Sequence, residues 1–160
     1  MRSPYVVSRF GEIDSAISKA KALASTIADL EVHAFFARYI VVFASGVYED
    51  CIEYLFTEFA KKYGNAEIAF FMSKMLHFHF RNPEYGALKG WLKYINSDYG
   101  DELDRQLAGT VGCKDALDSM VNNKNEVAHG KNCLATLGDV EKFHQRVLPI
   151  FDAVEDLLAI

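Results

Sequence analysis

The sequence predicts an all-α protein, a single antiparallel helical bundle of about five to seven helices that takes in residues 1–160 as one domain. Three observations carry this. Apolar residues recur at intervals of three and four along most of the chain, the period of helices with one buried face. Ten glycines and three prolines leave few breaks between those runs. No segment alternates apolar and polar residues long enough to make a strand. With 160 residues, 51% of them hydrophobic and 24% charged, the chain can fill one compact core but not two.

Over residues 8 to about 30, Phe10, Ile13, Ile17, Ala20, Leu23 and Ile27 form the apolar stripe of a first helix. A longer second helix is expected over residues 31–63, with a stripe at Phe36, Ile40, Phe43, Val47, Asp50 and Tyr54 that is apolar except at Asp50. Gly64-Asn65 ends it, as a glycine just past a helix commonly does. Residues 66–80 read as a third helix, closed before Asn82-Pro83. Pro83 then opens a short aromatic helix through Leu88, Trp91, Leu92 and Ile95. Another short helix is expected between residues 98 and 108. Residues 112–128 carry a stripe at Cys113, Leu117, Met120, Val121, Lys124 and Ala128, and Gly130 is placed to stop that helix. Residues 136–158 make the closing helix. Thr136 is its N-cap, and Pro149 is expected to kink or split it after Leu148.

Composition removes several classes of function. A net charge of −5 argues against a protein that coats nucleic acid by bulk electrostatics, but leaves room for a local basic site. The opening Met1-Arg2-Ser3-Pro4 is not a charged-then-apolar leader. The most apolar stretch, residues 34–48, is interrupted by Arg38 and is shorter than a bilayer span, so no membrane partner is expected. Cys51, Cys113 and Cys133 are odd in number and match no metal or redox spacing, which suits a reducing cytoplasm. Phosphate loops, dinucleotide fingerprints and metalloprotease or serine-hydrolase motifs are absent, and no cofactor is expected. His77 and His79 are two apart and point to different faces of a helix, which is poor metal geometry. The aromatics Phe70, Phe71, Phe78, Phe80, Tyr85, Trp91 and Tyr94 could serve base stacking, but are expected instead to pack the core around the third and fourth helices.

The segment that stands out is residues 112–130, GCKDALDSMVNNKNEVAHG. Lys124 falls on the packing stripe, where a cation needs a partner, or a stem long enough to carry its ammonium to water. Asn122, Asn123 and Asn125 surround it; asparagines are mediocre helix formers but useful hydrogen bonders. His129 stands at the helix end before Gly130, where the negative end of the dipole favours a protonated imidazole. Asn125 and His129 are four apart and share a face. A cation, an amide and an imidazole at one helix end are suited to binding and cleaving a phosphodiester.

The string Lys124-Asn125-Glu126-Val127-Ala128-His129-Gly130 resembles the signature of HEPN domains. It is closest to the branch that includes the RiboL-PSP-HEPN proteins, whose motif commonly reads like RNxxAHG. The acidic and aromatic run Tyr48-Glu49-Asp50-Cys51-Ile52-Glu53-Tyr54 and the Asp139-Val140 pair are similar to that branch as well. One position departs from it: the motif arginine is Lys124 here, a flexible point charge in place of a planar fork.

The resemblance implies a metal-independent endoribonuclease, a toxin or defence component, in which the RNA 2′-hydroxyl attacks the adjacent phosphate. By that likeness His129 is the acid or base, Lys124 stabilises the phosphorane, and Asn125 holds the phosphate or orients the imidazole. Glu49 or Asp50 is expected to pair with Lys124 when no RNA is bound. The resemblance also implies a two-fold homodimer with both motifs facing one cleft, and a cognate antitoxin or nucleotidyltransferase as partner. The lysine leaves an alternative open: a catalytically degenerate HEPN module that binds RNA, a nucleotide or a partner protein.

Overall fold

A computed structural model of the chain describes residues 3–131 and 133–159. Among the described residues there are seven helices and no strand: α1 (Pro4–Ala24), α2 (Leu30–Tyr63), α3 (Ala66–His79), α4 (Tyr85–Ile95), α5 (Tyr99–Gln106), α6 (Cys113–Ala128) and α7 (Leu137–Leu158).

The ends of the helices follow from local hydrogen bonding. The Ser3 hydroxyl accepts from Val6 N at 3.1 Å and Pro4 takes the first helical position, so α1 starts four residues before the expected point. It also stops sooner. Ser25 and Thr26 turn their hydroxyls back onto the carbonyls of Ala22 and Leu23, and the Asp29 carboxylate caps α2 at Glu31 N, 2.8 Å away. Pro83 does not open α4. It lies buried in the connection, and the first turn of α4 is capped from across the bundle, where Tyr85 N donates to Asp118 of α6 at 2.7 Å. Thr136 and Asp139 close a reciprocal capping box on α7. Pro149 does not split α7. The carbonyl that its missing N–H would have served belongs to Gln145, an exposed residue that water can reach, while the opposite face is held in the core by Val147, Ile150 and Phe151.

α2 is the axis of the bundle and packs against α1, α3, α6 and α7. At 34 residues it is long and apolar enough to cross a membrane, which the expectation from residues 34–48 alone did not anticipate. Its fully buried face runs through Ile40, Val41, Ala44, Tyr48, Cys51, Ile52, Leu55 and Phe56. The Tyr48 hydroxyl reaches buried His144 Nδ1 of α7 at 2.8 Å, with Phe10 of α1 beside both rings. This polar contact joins α2 to α7 inside the core, and the Phe10 ring packs α1 against both.

The expected packing of the aromatics is corrected in part. Phe80 and Tyr85 are buried and Trp91 is partly so, but Phe70, Phe71 and Phe78 are 60–66% exposed and Tyr94 is 83% exposed. For the three phenylalanines the reason is topological: among the described helices α3 packs against α2 alone, so a 14-residue helix with aromatics around its circumference buries only the face at Ala69 and Leu76.

Candidate functional site

The candidate site is built on the last two turns of α6 and on what they meet. Gly130 has φ +71°, which glycine adopts without the Cβ penalty. Lys131 N bonds to Glu126 O at 2.9 Å and Gly130 N to Val127 O at 3.0 Å, the paired bonds of a Schellman ending. The glycine of the motif thus stops the helix and leaves His129, its C-cap residue, exposed to solvent. Asn125 is half-buried one turn earlier, and the His129 amide bonds to its carbonyl at 3.0 Å. Among the described residues no side-chain hydrogen bond ties up the Asn125 amide or the His129 imidazole.

Lys124 points elsewhere. Five helical residues turn through 500°, so Lys124 and His129 stand about 140° apart around the axis, whereas Asn125 and His129 differ by about 40°. The Lys124 ammonium reaches inward to α2 and to the α3–α4 connection. It lies 3.2 Å from Glu49 Oε1, 2.9 Å from the Arg81 carbonyl and 3.0 Å from Asn82 Oδ1. An ammonium has three protons, and here there are three acceptors. Burial raises the Glu49 carboxyl above its ordinary range, while Lys124 and then Arg81 draw it back down.

Of the two acids expected near Lys124, Glu49 makes the pair and Asp50 does not. Asp50 turns toward α1, where it accepts from Arg9 Nε at 2.9 Å and from the Tyr5 hydroxyl at 2.7 Å, and that hydrogen bond is the main reason the Tyr5 phenol rises to about 12. Asn123 also has a different task from its neighbour Asn125. Its amide donates to Ser119 O at 2.8 Å, and its carbonyl accepts from Ala135 N and the Cys133 thiol, both at 3.3 Å. It ties the α6–α7 connection down beside the site. His77 and His79 are exposed, with His77 Nδ1 at 3.7 Å from Glu53.

Two residues of the site escaped the sequence reading: Arg81 and Asn82. In sequence they were punctuation before Pro83, some forty positions from Lys124. The available signal was the pair of flanking anchors, Phe80 and Pro83, both buried in the structure. An exposed Arg-Asn pair between two buried anchors is held in one place by its neighbours.

A family-wide sequence profile described as RiboL-PSP-HEPN matches residues 8–159. With the match covering almost the whole helical bundle, the chain belongs to the RiboL-PSP-HEPN family. Comparison with curated proteins and with solved structures gives no match.

Proposed function

We propose that this HEPN-family protein is a metal-independent endoribonuclease acting as a homodimer, a toxin or defence component whose partner is RNA and whose activity a cognate antitoxin or nucleotidyltransferase restrains. The observation that carries this is the end of α6, where an exposed imidazole and an uncommitted amide share one face, with a half-buried cation–carboxylate pair about 140° around the same helix. The reaction needs no more than proton transfer and charge stabilisation. The 2′-oxygen forms a bond to the adjacent phosphorus as its proton passes to a base. The bond from phosphorus to the 5′-oxygen breaks, and that oxygen takes a proton from an acid. The products are a 2′,3′-cyclic phosphate and a 5′-hydroxyl.

One imidazole cannot act as base and acid in a concerted step, which is the chemical reason for a second copy: a two-fold axis beside α6 supplies two His129 rings. Asn125, on the same face, is suited to hold a non-bridging oxygen or orient the ring.

A mixed single-stranded RNA incubated with and without EDTA tests the reading. Cleavage that persists in EDTA, ends in a cyclic phosphate, spares DNA for want of a 2′-hydroxyl, and disappears in His129→Ala at unchanged Tm is the expected result. DNA cut at a similar rate would sink the mechanism. Sedimentation at micromolar concentration is expected to give twice the chain mass, and a clean monomer would remove the second imidazole.

One observation favours a second reading. Lys124 replaces the arginine of the family motif, and its three protons already have acceptors, which suits a module that grips RNA without cutting it. Binding of intact RNA at an affinity unaffected by His129→Ala, with no product over long incubation, would select that reading.

A further inference from the structure

Given the function proposed above, we infer that Arg81 is the residue of this site that grips RNA phosphate, and that Lys124 is a positioning residue that sets Arg81 in place. The inference starts from the donors on Lys124. Its ammonium is shared among Glu49, the Arg81 carbonyl and Asn82, and only 22% of its side chain is exposed. To hold a phosphate it has to release one of these acceptors. The bonds it makes fix a piece of main chain instead: Arg81 and Asn82 are latched from one side by Lys124 and bracketed along the chain by buried Phe80 and Pro83.

The charges around Arg81 leave it available. The cleft of about 220 Å³ beside it, between α2 and α3, is lined by three carboxylates, and each has its own partner. Glu49 is bound by Lys124 at 3.2 Å. Asp50 is bound by Arg9 at 2.9 Å and by Tyr5. Glu53 accepts from the Ser73 hydroxyl at 3.0 Å, with His77 at 3.7 Å. The Arg81 guanidinium is near enough to Glu49 to help draw its pKa down, yet forms no ion pair or hydrogen bond with any described residue. It is an exposed planar fork, on a main chain held in position, at the rim of a cleft in which Glu49 and Asp50 are paired with other cations and Glu53 accepts from a serine hydroxyl. That combination suits bidentate contact with a phosphate, and the main-chain part of the ordering cost is met before the ligand arrives.

The probe is a fluorescent single-stranded 2′-O-methyl RNA of mixed sequence, which binds but lacks the attacking hydroxyl. Arg81→Ala is expected to weaken binding about tenfold or more, and to flatten the dependence of log affinity on log salt by about 0.7, one single-strand phosphate contact. Arg81→Lys keeps the charge, so it is expected to restore the salt slope and only part of the affinity. The role of Lys124 is read from a cycle. If it acts through Arg81, Lys124→Ala adds little to Arg81→Ala, and the double variant binds like the Arg81 variant alone. Losses that multiply would mean that Lys124 contacts phosphate itself and would overturn its positioning role. Arg81 is exposed, so its variants are expected to keep the wild-type Tm. Wild-type affinity and slope in a folded Arg81→Ala, with RNA still cleaved by the parent, would overturn the Arg81 assignment and leave the ribonuclease reading standing. Failure of the parent protein to bind the probe at all would overturn both.

Discussion

Replacing Lys124 by alanine turns the site into a test of how its half-buried pair works. Glu49 is then left with a quarter of its side chain exposed and no ammonium against it, while the other two acceptors, at Arg81 and Asn82, face water and find a substitute. A fully exposed pair is worth at most about 1 kcal/mol and breaking a buried one costs about 3–5 kcal/mol, so exposures of 22% and 25% place this loss at about 1–2 kcal/mol near neutral pH. For a chain of this length that lowers Tm by about 2–8 °C. The pH dependence separates a lost charge from lost packing. Burial already raises the Glu49 carboxyl in the folded protein, and removing Lys124 raises it further. A folded pKa above the unfolded one means that the native state holds the proton more tightly, so stability falls as pH rises from the unfolded value through the folded value. The deficit of Lys124→Ala relative to wild type is therefore expected to be largest at about pH 7.5 and to shrink toward about pH 5, where the unpartnered carboxyl is increasingly neutral. Thermal unfolding of both proteins at the two pH values reads this directly. An equal deficit at both, or a larger one in acid, would refute the electrostatic account and reduce Lys124 to a packing stem.

Two further expectations concern the frame around the site. Gly130→Ala meets no neighbouring atom among the described residues, so its cost is the left-handed backbone, about 1–2 kcal/mol, with Gly130→Asn recovering part of the loss in a thermal melt. A wild-type melting temperature for the alanine variant would show that the Schellman ending is not under that constraint. Tyr48→Phe keeps the ring but takes the hydroxyl from buried His144, and is expected to lower the denaturant midpoint by an amount worth about 1–3 kcal/mol at unchanged m-value. An unshifted midpoint would mean that this core contact contributes nothing net.

Much of the scaffold was legible along the chain because its signals are local. The stripe at Phe10, Ile13 and Ile17 fixed the buried face of α1, and all three are at most 3% exposed. Gly64 and Gly130 fixed the ends of α2 and α6, and Thr136 fixed the start of α7 through hydrogen bonds that span only a few residues. The placement of Asn125 and His129 on one face at the end of α6 was legible for the same reason, by helical period, while the motif itself was read from its resemblance to the family signature. What failed locally was also local in origin, since α1 ended early where Ser25, Thr26 and Asp29 offered the backbone other partners.

The composition of the site was decided by tertiary packing. Glu49 and Asp50 are neighbours about 100° apart on one helix, and nothing in their sequence says which meets Lys124. Docking of α6 on α2 gave Glu49 to the lysine, and docking of α1 gave Asp50 to Arg9 and Tyr5. The exposure of Phe70, Phe71 and Phe78 followed from α3 having a single neighbour, which their hydrophobicity could not reveal. Arg81 and Asn82 reached Lys124 across some forty residues of chain, through a connection with no periodicity of its own. Helical period and capping fix dihedral angles within a turn or two. Which face is buried, and which distant loop completes a cation's hydrogen bonds, depends on where neighbouring helices dock, and that is a property of the assembled bundle.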